Sequence, residues 1–204
     1  MSRSAEEVCG GIILCGGRSS RMGEPKAWLP FGVETSLQRV VRIVSQVVQQ
    51  IAVVAAPHQP LPDLPDEVLI VRDPREGLGP LAGIALGLET LSAGCTSAFV
   101  CGCDTPLLQP AFINAMFERL GDNDLAVPFS GDFYHPLGGV YRTSLAARAW
   151  ELVDANQLRP LFLIQQVHAV KVPVEDLRLV DPQLDSLENM NTPEDYTRLL
   201  AKLN

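Results

Sequence analysis

The chain has 204 residues, 24 Asp+Glu against 16 Lys+Arg for a formal net charge of −8, 47% apolar residues and 20% charged ones. This is the composition of a soluble globular protein, long enough to bury a sizeable core, and a single domain over residues 1–204 is expected. The acidic balance argues against broad nucleic-acid binding, and no apolar run reaches the length of a membrane span.

Strand-like and helical patterns alternate along the chain. Val8–Leu14 reads as a buried strand, and Thr35–Gln49 carries Leu37, Val40, Val41, Val44, Val47 and Val48 at a helical period. Ile51–Ala56 and Val68–Val71 read as strands, Gly83–Ser92 as a helix and Ala98–Cys103 as a further strand. Pro110–Leu120 is a helix with Gly121 as its stop signal. This order implies β-α-β units and a mostly parallel sheet with helices on both faces. The second half changes character. Asp124–Phe129 and Pro136–Arg142 read as strands around the tip Ser130-Gly131-Asp132, a hairpin-like excursion expected to bring antiparallel pairing. Ser144–Val153 and Leu158–Gln166 are predicted helices, and Val167–Val174 alternates as a strand does. Thr192-Pro193-Glu194-Asp195 opens a last helix with a cap, Pro at its first position and acids in its first turn. Pro57–Pro65, with four prolines, reads as an extended loop.

The N-terminus, MSRSAEEVCGGII, lacks the basic start and long apolar core of a signal peptide, and a cytoplasmic location is expected. Five cysteines (Cys9, Cys15, Cys95, Cys101 and Cys103) fit free thiols in a reducing compartment. Cys101 and Cys103 sit two apart on a predicted buried strand, where Cys acts as a small apolar residue. His58, His135 and His168 lie far apart, without the spacing of a zinc site.

The stretch from Gly10 to Lys26, GGIILCGGRSSRMGEPK, is the most informative. A strand empties into a glycine-rich loop bearing Arg18, Arg21 and Lys26. Gly lets a backbone approach a ligand closely, and Arg and Lys neutralise phosphate charge. The spacing matches neither a P-loop nor a dinucleotide fingerprint. In open parallel sheets, ligands bind outside the carboxyl ends of the strands. Asp104-Thr105-Pro106 and Arg72-Asp73 stand at two more such ends. A carboxylate there can hold Mg²⁺ against a polyphosphate. The alternative for Asp104 is a cap on the next helix, and Asp73 could equally open an Asp-Pro turn. Gly77–Gly83 suits close approach to a flat base, or a plain connection. The glycines of His135-Pro136-Leu137-Gly138-Gly139-Val140-Tyr141 suit a second ligand or tight backbone packing. Asn189 and Asn191 could bind a polar heterocycle or simply make a turn. No covalent catalytic set is evident, whereas nucleotidyl transfer asks mainly for positioning and charge neutralisation.

LCGGRSSRMGEPK, RDPREGLGPLAGI, CDTPLL, HPLGGVY and NMNTPEDY, in this order, resemble the molybdenum cofactor guanylyltransferase family over roughly residues 8 to 200. The resemblance implies a GT-A-like, Rossmann-related three-layer sandwich with a mostly parallel sheet and a small antiparallel excursion. It implies transfer of GMP from GTP to molybdopterin, the molybdenum cofactor, with release of pyrophosphate. It implies that Leu14, Cys15, Gly16 and Gly17 contact GTP through the backbone, with Lys26, Asp73 and Asp104 also on the nucleotide. Arg21, Lys26 and Asp104 would be catalytic, with Mg²⁺ on Asp104, and His135–Tyr141 and Asn189–Asn191 would flank the pterin. Cofactor-biosynthesis proteins or acceptor molybdoenzymes would be its protein partners. The family usually has Ala where Cys15 stands, and some members place a nucleotide-binding Asn where Ala56 stands. A cytidylyltransferase on the same pterin and a sugar-phosphate nucleotidylyltransferase are the competing enzymes. A nucleotide-binding protein without turnover is the non-enzymatic alternative. Gly16-Gly17 and Gly79-Pro80-Leu81 favour guanine among them.

Overall fold

The computed structural model describes residues 8–16, 24–73, 75 and 77–203. It begins with strand β1 (Cys9–Leu14), a 3-10 turn at Lys26–Trp28 and a small antiparallel pair, β2 (Pro30–Phe31) and β3 (Glu34–Thr35). Helix α1 (Ser36–Val44), strands β4 (Gln50–Ala55) and β5 (Leu69–Arg72), helix α2 (Gly79–Leu91) and strand β6 (Ser97–Gly102) follow. Then come α3 (Pro110–Leu120), β7 (Leu125–Ser130), β8 (Phe133–Tyr134) and β9 (Val140–Arg142). The remainder is α4 (Ala146–Asp154), α5 (Pro160–Ile164), β10 (Ala169–Pro173), α6 (Val174–Leu177) and α7 (Pro193–Leu200).

Among the described residues the main sheet has the order β10-β7-β9-β6-β1-β4-β5, with β8 paired to β7. β1 lies parallel between β4 and β6, and β5 is parallel to β4. β9 runs antiparallel to both β6 and β7, so β7 regains the direction of β6, and β10 is parallel to β7. The carboxyl ends of β1, β4, β5, β6, β7 and β10 therefore share one rim. The antiparallel excursion predicted for the second half is confined to β8 and β9. It is shorter than expected, since Pro136 has no N–H to donate to a ladder and only Val140–Arg142 pairs.

Alternation along the central strands sorts side chains into two cores. Ile13, Val53, Phe99 and Cys101 pack with Leu37, Val40 and Val44 of α1 and Phe112, Ile113 and Met116 of α3. Ile12, Leu14, Val54 and Val100 pack on the other face with Leu81, Ile84 and Leu88 of α2 and with α4 and α5. This is the expected three-layer arrangement. A third, smaller cluster joins Leu29, Phe31, Leu107, Met190 and Leu199, which seats α7 against the β2–β3 pair.

Local chemistry sets the ends of the helices. Thr35 caps α1 in a reciprocal box with Gln38, and Thr192 does the same for α7 with Asp195. α1 stops at Val44, short of the predicted Gln49, where the Gln49 N–H turns to the Cys9 carbonyl at 3.0 Å. α2 starts at Gly79, four residues before the prediction, because Pro80 stands in the first turn, where a missing N–H costs nothing. The same helix carries Gly83 and Gly87 on the side that meets β1. A Cβ at Gly87 would lie 2.6 Å from the Ile12 side chain, and one at Gly83 would lie 3.1 Å from Leu14. The glycines let α2 lie directly on the strand that feeds the rim. Gly87→Ala is accordingly expected to cost about 1–3 kcal/mol of stability through overpacking. Pairing it with Ile12→Val should recover part of the loss in urea unfolding.

Candidate functional site

The rim at the carboxyl ends of β1 and β6 brings together residues far apart in the chain. Lys26, from the 3-10 turn, places Nζ 2.7 Å from Asp104 Oδ2 and 2.7 Å from Asn191 Oδ1. Both charged side chains are mostly buried, at 20% and 18% exposure, so the pair is less screened than a surface ion pair.

Asp104 is held by its backbone as well as its charge. The Met190 N–H donates to the Asp104 carbonyl at 3.0 Å, and the Cys103 N–H donates to the Leu14 carbonyl at 3.0 Å. The Ser36 hydroxyl donates to the Cys103 carbonyl at 2.6 Å, Thr105 Oγ1 to the Gly102 carbonyl at 2.9 Å, and Arg39 Nε to the Pro106 carbonyl at 2.7 Å. The first turn of α1 thus grips the loop after β6. Asp104 does not cap the following helix, since α3 begins at Pro110 with Gln109 at its cap. Its carboxylate folds back over Gly102 instead, where a Cβ would stand 2.2 Å from Asp104 Oδ1.

The last turn positions Asn191. Buried Asp181 accepts from the N–H groups of Asp185 and Ser186, and the Ser186 hydroxyl accepts from the Gln109 N–H at 3.0 Å. Fully buried Met190 then anchors the segment. The sequence offers Asn191 as a partner for a heterocycle or as a turn residue. The structure places it on Lys26. Its one sequence signal was its place in NMNTPEDY, two residues before a helix starting with Pro.

Leu14 and Cys15 turn their side chains into the two cores, so what they offer the rim is backbone. The Cys15 thiol lies against Cys103. Their hydrogen bond, with burial, pushes its pKa well above the ordinary thiol range. Burial raises that of Cys101 too. All five cysteines are buried, as expected of apolar packing residues. Gly16 is exposed, and among the described residues a Cβ there would meet nothing within 4 Å. The fold does not need glycine at that point, whereas a ligand lying against the backbone would. Gly17 and Arg21 lie outside the described residues.

Asp73, at the end of β5, accepts from the Arg75 N–H at 2.9 Å and so makes the turn its Asp-Pro sequence suggested. Arg75 fastens this loop to α4 by stacking 4.2 Å above the Trp150 ring and pairing with Asp154 at 2.8 Å. Of the glycines after it, Gly83 packs on Leu14 and Val54, while Gly77, at φ +82°, has open space around it. In the HPLGGVY segment the glycines serve packing. A Cβ at Gly139 would lie 2.8 Å from the Ala126 carbonyl, and the Tyr141 hydroxyl donates to the Pro136 carbonyl at 2.9 Å. His135 Nε2 lies 3.0 Å from the Ser130 hydroxyl, and burial lowers its pKa.

A family model, the MobA-like NTP transferase domain, matches residues 11–170. The chain belongs to this family. It is 39% identical over 173 residues to a Mycobacterium tuberculosis protein named "Probable molybdenum cofactor guanylyltransferase", covering 82% of this chain and 85% of the relative. A Mycobacterium avium protein of the same name is 37% identical over 194 residues, covering 93% of each. Among solved structures, that of molybdopterin-guanine dinucleotide biosynthesis protein A from Archaeoglobus fulgidus superposes with a TM-score of 0.78. That likeness, at 24% identity over 95% of this chain and 98% of the other, concerns the fold. The MobA-like match runs from β1 into β10, so it includes Lys26 and Asp104 but ends before Asn191.

The close approach at Gly102 can be tested without a ligand. Gly102→Ala should destabilise the protein by about 1–3 kcal/mol. In an Asp104→Ala background the same change should cost under about 1 kcal/mol, because the carboxylate it meets is gone. Equal costs in the two backgrounds, by urea unfolding, would contradict the geometry.

Proposed function

We propose that this protein transfers GMP from GTP to the terminal phosphate of molybdopterin, making the guanine dinucleotide form and releasing pyrophosphate. The observation that carries the reading is the Lys26–Asp104–Asn191 junction beside the open backbone at Gly16. It stands in a MobA-like NTP transferase chain with relatives named for this reaction. In the reaction an oxygen of the pterin phosphate attacks the α-phosphorus of GTP. A new P–O–P linkage forms as the bond from the α-phosphorus to the bridging oxygen of the β-phosphate breaks. The attacking phosphate is ionised near neutral pH, so no strong general base is needed.

The protein's task is then positioning and charge. The backbone of Leu14, Cys15, Gly16 and Gly17 would lie against GTP, and Asp73 would stand on the nucleotide side. Lys26 and Arg21 would offset the charge of the departing pyrophosphate. Lys26 is held in place for this by Asp104 and Asn191.

The residues present fit Mg²⁺. Asp104 and the carbonyl oxygen of Asn191 are hard oxygen donors that share Lys26. Among the described residues no group of three or more His, Cys, Asp or Glu could hold a metal. One carboxylate completed by phosphates and water is a usual Mg²⁺ arrangement, and it suits neither zinc nor a dedicated protein cage. Asp104, with Asn191 beside it, would hold the ion, which when bound supplies charge neutralisation at the phosphate oxygens. Five cysteines outside any disulfide suit a reducing cytoplasm, which is where we place the reaction.

Pyrophosphate release on mixing the protein with GTP, Mg²⁺ and molybdopterin tests the reading, with CTP and ATP in parallel. GTP alone should support rapid turnover. Asp104→Ala should lower the rate by about 100-fold or more, and an unchanged rate in Mg²⁺ would remove Asp104 from the mechanism. Gly16→Ala should fold as the wild type does, since its Cβ would meet no atom of the described residues within 4 Å. Its GTP affinity should nevertheless fall about tenfold, or roughly 1.4 kcal/mol, by equilibrium binding.

A further inference from the structure

One side chain of the loop after β4 reaches back to the strand ends. Gln59 Oε1 accepts from the Ala56 N–H at 3.2 Å, and Gln59 Nε2 donates to the Cys15 carbonyl at 2.9 Å. One amide thereby bridges the ends of β1 and β4. The turn that presents it is itself fastened. Arg72 donates to the carbonyls of Ala56 at 3.1 Å and Gln59 at 2.7 Å. Trp28 Nε1 donates to the Pro60 carbonyl at 3.0 Å, and Gln38 Nε2 to the Asp63 carbonyl at 3.0 Å. The proline-rich loop is thus a stiff wall, held by side chains from three other segments.

A carbonyl oxygen has two acceptor positions, and Gln59 takes one at Cys15. The Cys15 N–H is already given to the Val54 carbonyl at 2.8 Å, and its thiol is buried. What Cys15 can show a ligand is therefore an acceptor of fixed direction, next to open space at Gly16. Guanine carries donors at N1 and N2 on its pairing edge. Adenine and cytosine instead set a lone pair, at N1 and N3 respectively, beside a single exocyclic amine donor. A carbonyl that cannot turn away can meet either of two adjacent donors on guanine, whereas on adenine or cytosine it faces a lone pair wherever it meets the ring nitrogen, and that mismatch disfavours them.

We propose that Gln59 is a positioning residue for base selection. It locks the Cys15 carbonyl as an acceptor for the donor edge of guanine. The proposal rests on the guanylyl-transfer reading for its choice of nucleotide, but binding alone can test it.

Gln59→Glu is the informative variant. It keeps the shape and the acceptor for Ala56, yet sets an oxygen against the Cys15 carbonyl. GTP, ITP and ATP affinities would be measured by equilibrium binding on the full chain with Mg²⁺, for the wild type, Gln59→Glu and Gln59→Ala. The wild type should prefer GTP over both, and each variant should lose about tenfold of the GTP-to-ATP preference at a near-normal melting temperature. In turnover, KM for GTP should rise while kcat at saturating GTP stays within about twofold. An unchanged preference, a wild type without preference, or an equal fall for GTP and ATP would overturn the proposal. A clear loss of preference in a protein that releases no pyrophosphate would leave the Gln59 role standing and remove the transfer reading.

Discussion

Everything at the rim depends on where the Asp104 carboxylate is held. It lies between a lysine 78 residues before it and, through that lysine, an asparagine 165 residues beyond Lys26. A mostly buried carboxylate without a cation would be costly, and a mostly buried ammonium without acceptors equally so. Each therefore fixes the other, and together they fix the chain around them. The glycine at 102, the hydroxyl of Ser36 and the guanidinium of Arg39 are arranged to let that one carboxylate sit where it does.

The two halves of the protein meet at this point. β1, β4 and β5 supply backbone and loops on one side of β6, and β9, β7 and β10 extend the sheet on the other. The C-terminal segment crosses back under α3 through Asp181, Ser186 and Met190, so Asn191 reaches a lysine from the start of the chain. Residues 181–191 lie past the end of the family match, yet they complete the polar junction. The arrangement explains why a small third core, far from the sheet centre, is worth building: it seats α7 and the turn before it.

Much of the fold was legible because the hydrophobic periods were clean. β1, β4, β6 and α3 stand within a residue or so of where the pattern puts them. The misreadings share a cause. Gly79-Pro80 looks like a loop until one sees that Pro in a first turn gives up no needed N–H. Gly83, the last of the Gly77–Gly83 run that suits a flat base, packs on Leu14 in the fold, and Gly87 makes room for Ile12. At Gly139 the close approach is to the Ala126 carbonyl, one of the two readings the sequence leaves open. A glycine marks a close approach in either case, and the sequence does not say whether ligand or backbone is the neighbour.

The sequence by itself determined the layered α/β architecture, the strand that ends in a cationic glycine loop, and the carboxylates at the strand ends. These follow from local periodicity and from residue types whose chemistry is the same wherever they stand. Only the tertiary structure decided which of those groups meet. It turned Asp73 onto the Arg75 N–H, brought Asp104 and Asn191 to one lysine, and set the Gln59 amide between Ala56 and Cys15. Such pairings depend on distances between residues remote in the chain. Those distances are set by how helices and strands pack, which no local pattern records.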